Sequence, residues 1–222
     1  MKIIGHRGAR GLAPENTVAA VLKGIEHGVD MVEFDLRVTK DGVVVLDHDG
    51  KITDPNGSQH KISEAKYDVL KAHKPDLATF QEVLDVTKGK VKLYVEVKKS
   101  EPIKPIVTII NTALANGWKQ SDILLGSKSQ KSLVALHKEL PNIKKIVIHP
   151  WSGVISTHRA KQVDTKIIAM NQLSLWSFFI RSMSKRGWEI YAYTLNDPEK
   201  AKHWQKFGLA GVVTDNPQRF KS

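Results

Sequence analysis

Short runs of β-branched and aliphatic residues alternate along the chain with longer stretches whose apolar positions recur every three or four residues. Strand-like runs cover 2–5, 31–36, 91–97, 122–126, 144–149, 166–170, 189–194 and 211–213. Helical patterns cover 14–26, 103–115, 129–139, 175–186 and 198–207. In the first of these, Val18, Val21, Leu22 and Ile25 share one face of a 3.6-residue repeat. Pro14 and Pro198 suit a first helical position, where the missing N–H goes unused. Gly28, Gly117, Gly187 and Gly208 stand where these helices should stop. Repeated strand-then-helix order predicts a parallel sheet covered by helices. Eight strands within 222 residues favour a (β/α)8 TIM barrel over an open doubly wound sheet, although the chain is short for that fold. The expected organisation is one domain, 1–222.

Residues 37–48 break the rhythm. Val38-Thr39, Lys40-Asp41-Gly42 and Val43-Val44-Val45-Leu46 read as a hairpin, because Asp-Gly favours a tight turn. The run 43–46 is then an added strand outside the eight. Residues 49–76 are polar and turn-rich, with Asp54-Pro55-Asn56-Gly57 and a short helix near 63–70. They predict a small insertion over the strand ends, after the second strand.

Three strands carry ionisable residues at their C-terminal ends. The first ends in Gly5-His6-Arg7-Gly8, the second holds Glu33-Phe34-Asp35, and the third holds Glu96-Val97-Lys98. Alternation puts Glu33 and Asp35 on one face of a strand, and Glu96 and Lys98 on one face of another. If that face is the barrel interior, three carboxylates meet beside His6 and Lys98 where barrel active sites form. Ordinary rim ion pairs are the bland alternative. Three carboxylates in a small dry space need neutralising, and a hard divalent cation on oxygen ligands does this. Cleaving a phosphodiester needs charge neutralisation, a base and an acid. His6 and His48 offer the two proton functions near neutral pH, and Arg7 suits a phosphate oxygen. Among the other histidines, His27 at a helix end and His203 on a polar face read as structural. The tryptophans read as packing residues, with Trp151, after a strand end, as the exception.

Composition narrows the chemistry. With no cysteine, thiolate nucleophiles and cysteine metal sites are excluded. The formal net charge of +11 attracts anions, but the lysines are scattered, so solvated surface lysines explain most of it. No nucleic-acid motif is present, and nucleic acid is not an expected partner. The start lacks the apolar stretch of a signal peptide, and no uncharged segment reaches membrane-spanning length. The expectation is a cytoplasmic protein without stable membrane insertion. Homo-oligomer formation is left open.

Taken in order, Gly5-His6-Arg7-Gly8, Ala13-Pro14-Glu15-Asn16-Thr17, Glu33-Phe34-Asp35, Thr39-Lys40-Asp41-Gly42 and His48-Asp49 resemble the glycerophosphodiester phosphodiesterase family. Val95-Glu96-Val97-Lys98, Thr194-Leu195-Asn196 and the run 211–217 resemble its later strand ends. The resemblance implies hydrolysis of a glycerophosphodiester to glycerol 3-phosphate and an alcohol. It implies Glu33, Asp35 and Glu96 as ligands of Ca2+ or Mg2+, and His6 and His48 as the acid–base pair. Arg7, Glu15 and Lys98 fall at substrate-facing positions, and Asn16 and Thr17 at positions that either shape the first loop or touch substrate. The insertion carries Gln59-His60-Lys61 and Ala72-His73-Lys74 in place of a recognisable family loop. Tyr193 stands where Trp is common. Both departures concern the leaving alcohol. The alternatives are a lysophospholipase D or related phospholipase acting on lipid phosphodiesters, and a non-catalytic anion-binding barrel.

Overall fold

The eight expected strands close on themselves. The computed structural model describes residues 1–220. Its barrel strands are β1 (Lys2–Gly5), β2 (Met31–Val38), β6 (Lys92–Val97), β7 (Ile123–Ser127), β8 (Lys144–Ile148), β9 (Ile167–Asn171), β10 (Glu189–Tyr193) and β11 (Gly211–Thr214). Each pairs in parallel with the next, and β1 pairs with both β2 and β11, so no barrel strand has a free edge in the ring. The remaining strands lie between β2 and β6. They are β3 (Val44–Leu46), antiparallel on β2 as the Asp-Gly turn predicts, and the hairpin β4 (Lys51–Thr53) and β5 (Gln59–Lys61).

Among the described residues eight α-helices accompany them: α1 (Val18–Glu26), α2 (Tyr67–His73), α3 (Phe80–Thr87), α4 (Ile103–Ala115), α5 (Gln130–Glu139), α6 (Gly153–Lys161), α7 (Ser177–Lys185) and α8 (Pro198–Gln205). Pro198 does occupy the first turn of α8. Pro14 does not start α1. That helix begins at Val18 because Thr17 caps it, accepting the Ala20 N–H at 3.1 Å. The short helix of the insertion lies at Tyr67–His73, later than its pattern suggested. Two helices were absent from the pattern altogether. In α6 the apolar Val154 and Ile155 face outward, so no buried stripe marks it. In α3 the marker is a capping box, Thr79 with Glu82, after a turn-rich stretch that hides its start.

Strand alternation sorts the core. Phe34 and Leu36 of β2, with Leu93, Val95 and Val97 of β6, pack outward beneath the helices. Met31, Tyr94, Leu124, Ile146 and Tyr191 fill the barrel interior. A small separate cluster, Val45, Ile52, Ile62, Leu70 and Leu77, fastens the insertion to β3. Lys145 departs from the expectation of solvated lysines. It is buried on the outer face of β8, and its Nζ donates to the carbonyls of Leu140, at 2.6 Å, and Ile143. Burial lowers its ammonium to about 8.

Candidate active site

The turn after β1 is shaped by its glycines. A Cβ on Gly5 would lie 1.9 Å from the Gly8 carbonyl oxygen. Gly8 has φ +88°, and a Cβ there would stand 2.5 Å from the Ala20 backbone. The turn therefore folds onto itself and presses directly on α1, as only glycine allows. Between them Arg7 takes φ +50° and donates its backbone N–H to Glu33 Oε2 at 2.9 Å.

Met31, Glu33 and Asp35 project inward from β2, and Tyr94 and Glu96 from β6. The register sets Asp35 beside Glu96 and Glu33 beside Tyr94. Carboxylate oxygens of Glu33, Asp35 and Glu96 lie within 4.8 Å of one another, all three buried. Lys98 Nζ sits 2.5 Å from Asp35 Oδ1 and 2.8 Å from Glu96 Oε1. Asn16, at φ +56°, clamps Asp35 from the other side. Its Nδ2 donates to Asp35 Oδ2 at 2.9 Å, and its Oδ1 accepts the Asp35 N–H at 3.1 Å. Of its two readings, Asn16 thus shapes the site, and Thr17 caps a helix.

The carboxylates do not share one environment. Burial, then the charges of Asp35 and Glu96, push the Glu33 carboxyl well above its ordinary value. Burial would raise Asp35 too, but Lys98, Asn16 and Arg7 hold it below. The donor set is all oxygen, crowded and short of positive charge, and a hard divalent cation fits it. Glu33, Asp35 and Glu96 are the residues that could hold one.

His6, in the turn after β1, and His48, in the loop after β3, line the same cavity as this cluster. His6 Nδ1 contacts Asp215 Oδ1 at 2.6 Å, and His48 Nδ1 contacts Asp49 Oδ1 at 2.6 Å. Asp215 also accepts from Asn196 Nδ2 at 2.8 Å and pairs with Arg10 Nε at 2.9 Å. Burial works against its ionisation, yet His6, Asn196 and Arg10 keep its carboxyl below the ordinary value. Arg37 supports the second histidine. It donates to the His48 carbonyl at 2.7 Å and pairs with Glu101 at 3.0 Å.

These side chains surround a cavity of ≈ 370 Å³. Six of the eight expected site residues line it: His6, Arg7, Glu33, Asp35, His48 and Glu96. Lys98 and Glu15 do not. The Lys98 ammonium is held by Asp35 and Glu96, and Glu15 binds Arg7 Nη1 at 2.5 Å and Arg10 at 3.1 Å. Sequence reasoning missed Lys128, whose Nζ is 3.8 Å from Glu96. It also missed Asp215 as a partner of His6. Tyr193, marked in the sequence as standing where Trp is common, lines the cavity, and its buried hydroxyl has no hydrogen-bond partner among the described residues. Lys128 and Asp215 directly follow strand ends and Tyr193 closes one, and that position was the available signal.

One side of the rim is apolar. Leu173 lines the cavity yet is 77% exposed. Beyond it Trp151, Val154, Trp176 and Phe178 are also exposed. Trp176 packs on Phe179 at 5.3 Å, and the Phe179 ring lies so close to Gly153 that a Cβ there would meet it at 2.6 Å. The outlying Trp151 is thus no packing residue, as expected, but Trp176 is exposed as well.

A closed parallel barrel with this mouth is the scaffold of an enzyme acting on an anionic substrate. The chain belongs to the glycerophosphoryl diester phosphodiesterase family, whose sequence pattern matches residues 6–219. The Bacillus subtilis (strain 168) protein YhdW is 30% identical over 236 residues, covering 98% of this chain and 95% of the relative. Human lysophospholipase D GDPD1 is 24% identical and is covered over 85% of its length by 99% of this chain. Among solved structures, an Oleispira antarctica phosphodiesterase in complex with the product sn-glycerol-3-phosphate superimposes with a TM-score of 0.86. It is 23% identical, with 99% of this chain and 95% of that chain covered. The (β/α)8 fold and the phosphodiesterase class follow.

Proposed function

We propose that the protein hydrolyses glycerophosphodiesters to glycerol 3-phosphate and an alcohol, with divalent-metal dependence and two-histidine acid–base catalysis. One observation carries this reading: His6, His48, Glu33, Asp35 and Glu96 converge on one cavity at the C-terminal mouth of the barrel. Bound Ca2+ or Mg2+ on the three carboxylates supplies positive charge to a phosphate oxygen. The chain's own residues do the rest. Arg7 and Lys128 present cations to the anionic diester, and the Glu15 contact keeps the Arg7 guanidinium in place. Asp215 and Asp49 hold Nδ1 of the two histidines, which leaves each Nε2 for proton transfer. One histidine removes a proton from the attacking hydroxyl while the other protonates the departing alkoxide. In this route the substrate's own glycerol hydroxyl attacks phosphorus. The resulting cyclic phosphate is opened by water, and the two histidines exchange roles.

The test is release of glycerol 3-phosphate from glycerophosphocholine and glycerophosphoethanolamine in EDTA, Mg2+ and Ca2+. Metal-dependent release is expected. Absence of release from folded protein under every condition would overturn the reading.

The apolar rim favours a second reading, lysophospholipase D activity. An acyl chain on the glycerol could leave the cavity over Leu173 and lie on Trp176 and Phe178. Release of choline from lysophosphatidylcholine at rates comparable to glycerophosphocholine would establish it. Among the described residues no helix is long and apolar enough to cross a membrane.

A further inference from the structure

The geometry points to a second metal site, for a transition-metal ion, formed by Asp54, His60 and His73 of the insertion. One carboxylate oxygen and one nitrogen from each ring lie within 4.8 Å of one another. None of the three belongs to the barrel strands that carry the active-site carboxylates.

The local fold gathers them for identifiable reasons. The hairpin register sets Ile52 opposite His60, so both side chains leave the same face. Ile52 buries that face in one apolar cluster with Leu70 of α2. His73 follows Leu70 by three residues and shares its helix face. Its ring stacks on His60, with centroids 4.4 Å apart and planes within 12° of parallel. Asp54 opens the hairpin turn. Its Oδ1 accepts the N–H groups of Asn56 and Ser58, both at 2.9 Å, and this fixes the carboxylate. Its Oδ2 is left for His60 Nε2 at 3.1 Å. Among the described residues, the His73 ring has no hydrogen-bond partner.

Two of the nearby lysines are matched by carboxylates, Lys61 by Glu64 at 2.8 Å among them, while Lys51 and Lys71 keep their charge but have their ammonium groups turned to Gln59 at 3.1 Å and to the Leu77 carbonyl at 2.8 Å. Lys74 lies 3.8 Å from Asp47. All three candidate ligands are half-buried, so an ion can reach them.

Two imidazoles and one carboxylate suit Zn2+, Co2+, Ni2+ or Cu2+ better than Mg2+ or Ca2+. A tetrahedral ion with ligands at about 2.0–2.1 Å spaces the ligand atoms about 3.4 Å apart. Closing to that spacing requires the unpinned His73 ring to turn out of its stack. The ion displaces the proton shared by His60 Nε2 and Asp54, and a water completes the tetrahedron. The result is a cross-link between the hairpin and the end of α2, in the segment that directly follows His48.

The probe is Co2+ on the full chain, read by visible absorption and displaced by Zn2+. Wild type and Glu33→Gln are expected to give the same spectrum of a low-coordinate site. His60→Gln and His73→Gln should each weaken Co2+ uptake by at least about tenfold, with unchanged circular dichroism. Zn2+ should also slow amide exchange over 51–61 in wild type but not in His73→Gln. The proposal is overturned if both histidine variants keep the spectrum, if folded wild type takes up no Co2+, or if only Glu33→Gln loses it. That last outcome would assign the ion to the barrel carboxylates.

Discussion

Asp215 Oδ1 stands 2.6 Å from His6 Nδ1, and this contact decides which ring nitrogen His6 offers to the cavity. Asp215 keeps its negative charge because Asn196 and Arg10 hold it as well. Asp215→Asn preserves the shape while removing the charge and allowing the wrong tautomer. A fall in kcat of about 10²- to 10⁴-fold is expected, with KM and thermal stability nearly unchanged. An equal rise in KM without loss of kcat would mean that Asp215 serves binding instead.

His6→Ala and His48→Ala should each remove turnover while leaving fold and divalent-ion binding intact. Neither ring donates to or accepts from Glu33, Asp35 or Glu96, so the carboxylate cluster does not depend on them. Calorimetric titration with Ca2+ or Mg2+ checks this directly. Unfolding of both variants would count against the assigned roles.

Strand alternation alone made half of the site legible in the sequence. A period of two fixes which face Glu33, Asp35, Glu96 and Lys98 share, whatever the rest of the chain does. It could not show that Lys98 reaches back to Asp35 and so stays out of the cavity. Asp215 follows β11 and Tyr193 ends β10, both far from His6 in sequence. They join His6 at the site only when β1 pairs with β11 and the barrel closes. Lys128 comes beside Glu96 through the pairing of β6 with β7. Helix α6 escaped notice because periodicity reports burial, and its Val154 and Ile155 are not buried.

Arg37 ties the added strand region to the His48 backbone without lining the cavity. Its guanidinium joins the His48 carbonyl to Glu101. Arg37→Met frees the His48 loop and also leaves the Glu101 carboxylate with no cation, only the Val38 N–H still donating to it at 2.9 Å. A loss of about 1–3 kcal/mol in stability is expected, together with a kcat lower by up to about a hundredfold. Adding Glu101→Gln should recover stability but not kcat. Recovery of both would show that Arg37 acts on the fold alone.

Glu33 sets a stability cost that a divalent ion on the carboxylate cluster would relieve. Burial and its carboxylate neighbours raise its carboxyl above the ordinary 4.5. Between those two values the folded, metal-free chain binds a proton that the unfolded chain has released. Stability from this group is therefore present in acid and lost as pH rises through the raised value. In EDTA, Glu33→Gln should gain stability over wild type as pH climbs from 5 toward 8. Saturating Ca2+ or Mg2+ should reverse the order, and ion binding by wild type should release protons. Thermal unfolding across that pH range reads the effect, and parallel curves for the two proteins would remove Glu33 from the account.

Leu173 separates the two substrate readings because it belongs both to the cavity and to the exposed rim. A soluble headgroup diester has nothing to lay on Trp176 or Phe178, so their loss should leave glycerophosphocholine turnover unchanged. An acyl chain would bury apolar surface there, and burying one leucine-sized side chain contributes about 1.5–3 kcal/mol. Leu173→Asp, or Trp176→Ser with Phe178→Ser, should then lower kcat/KM for lysophosphatidylcholine about tenfold to a hundredfold relative to glycerophosphocholine. A ratio that does not move would sink the lipid reading and leave the rim to some other contact. An unmoved ratio that comes from equal falls on both substrates would, besides, place Leu173 among the groups that position the shared glycerophosphoryl unit.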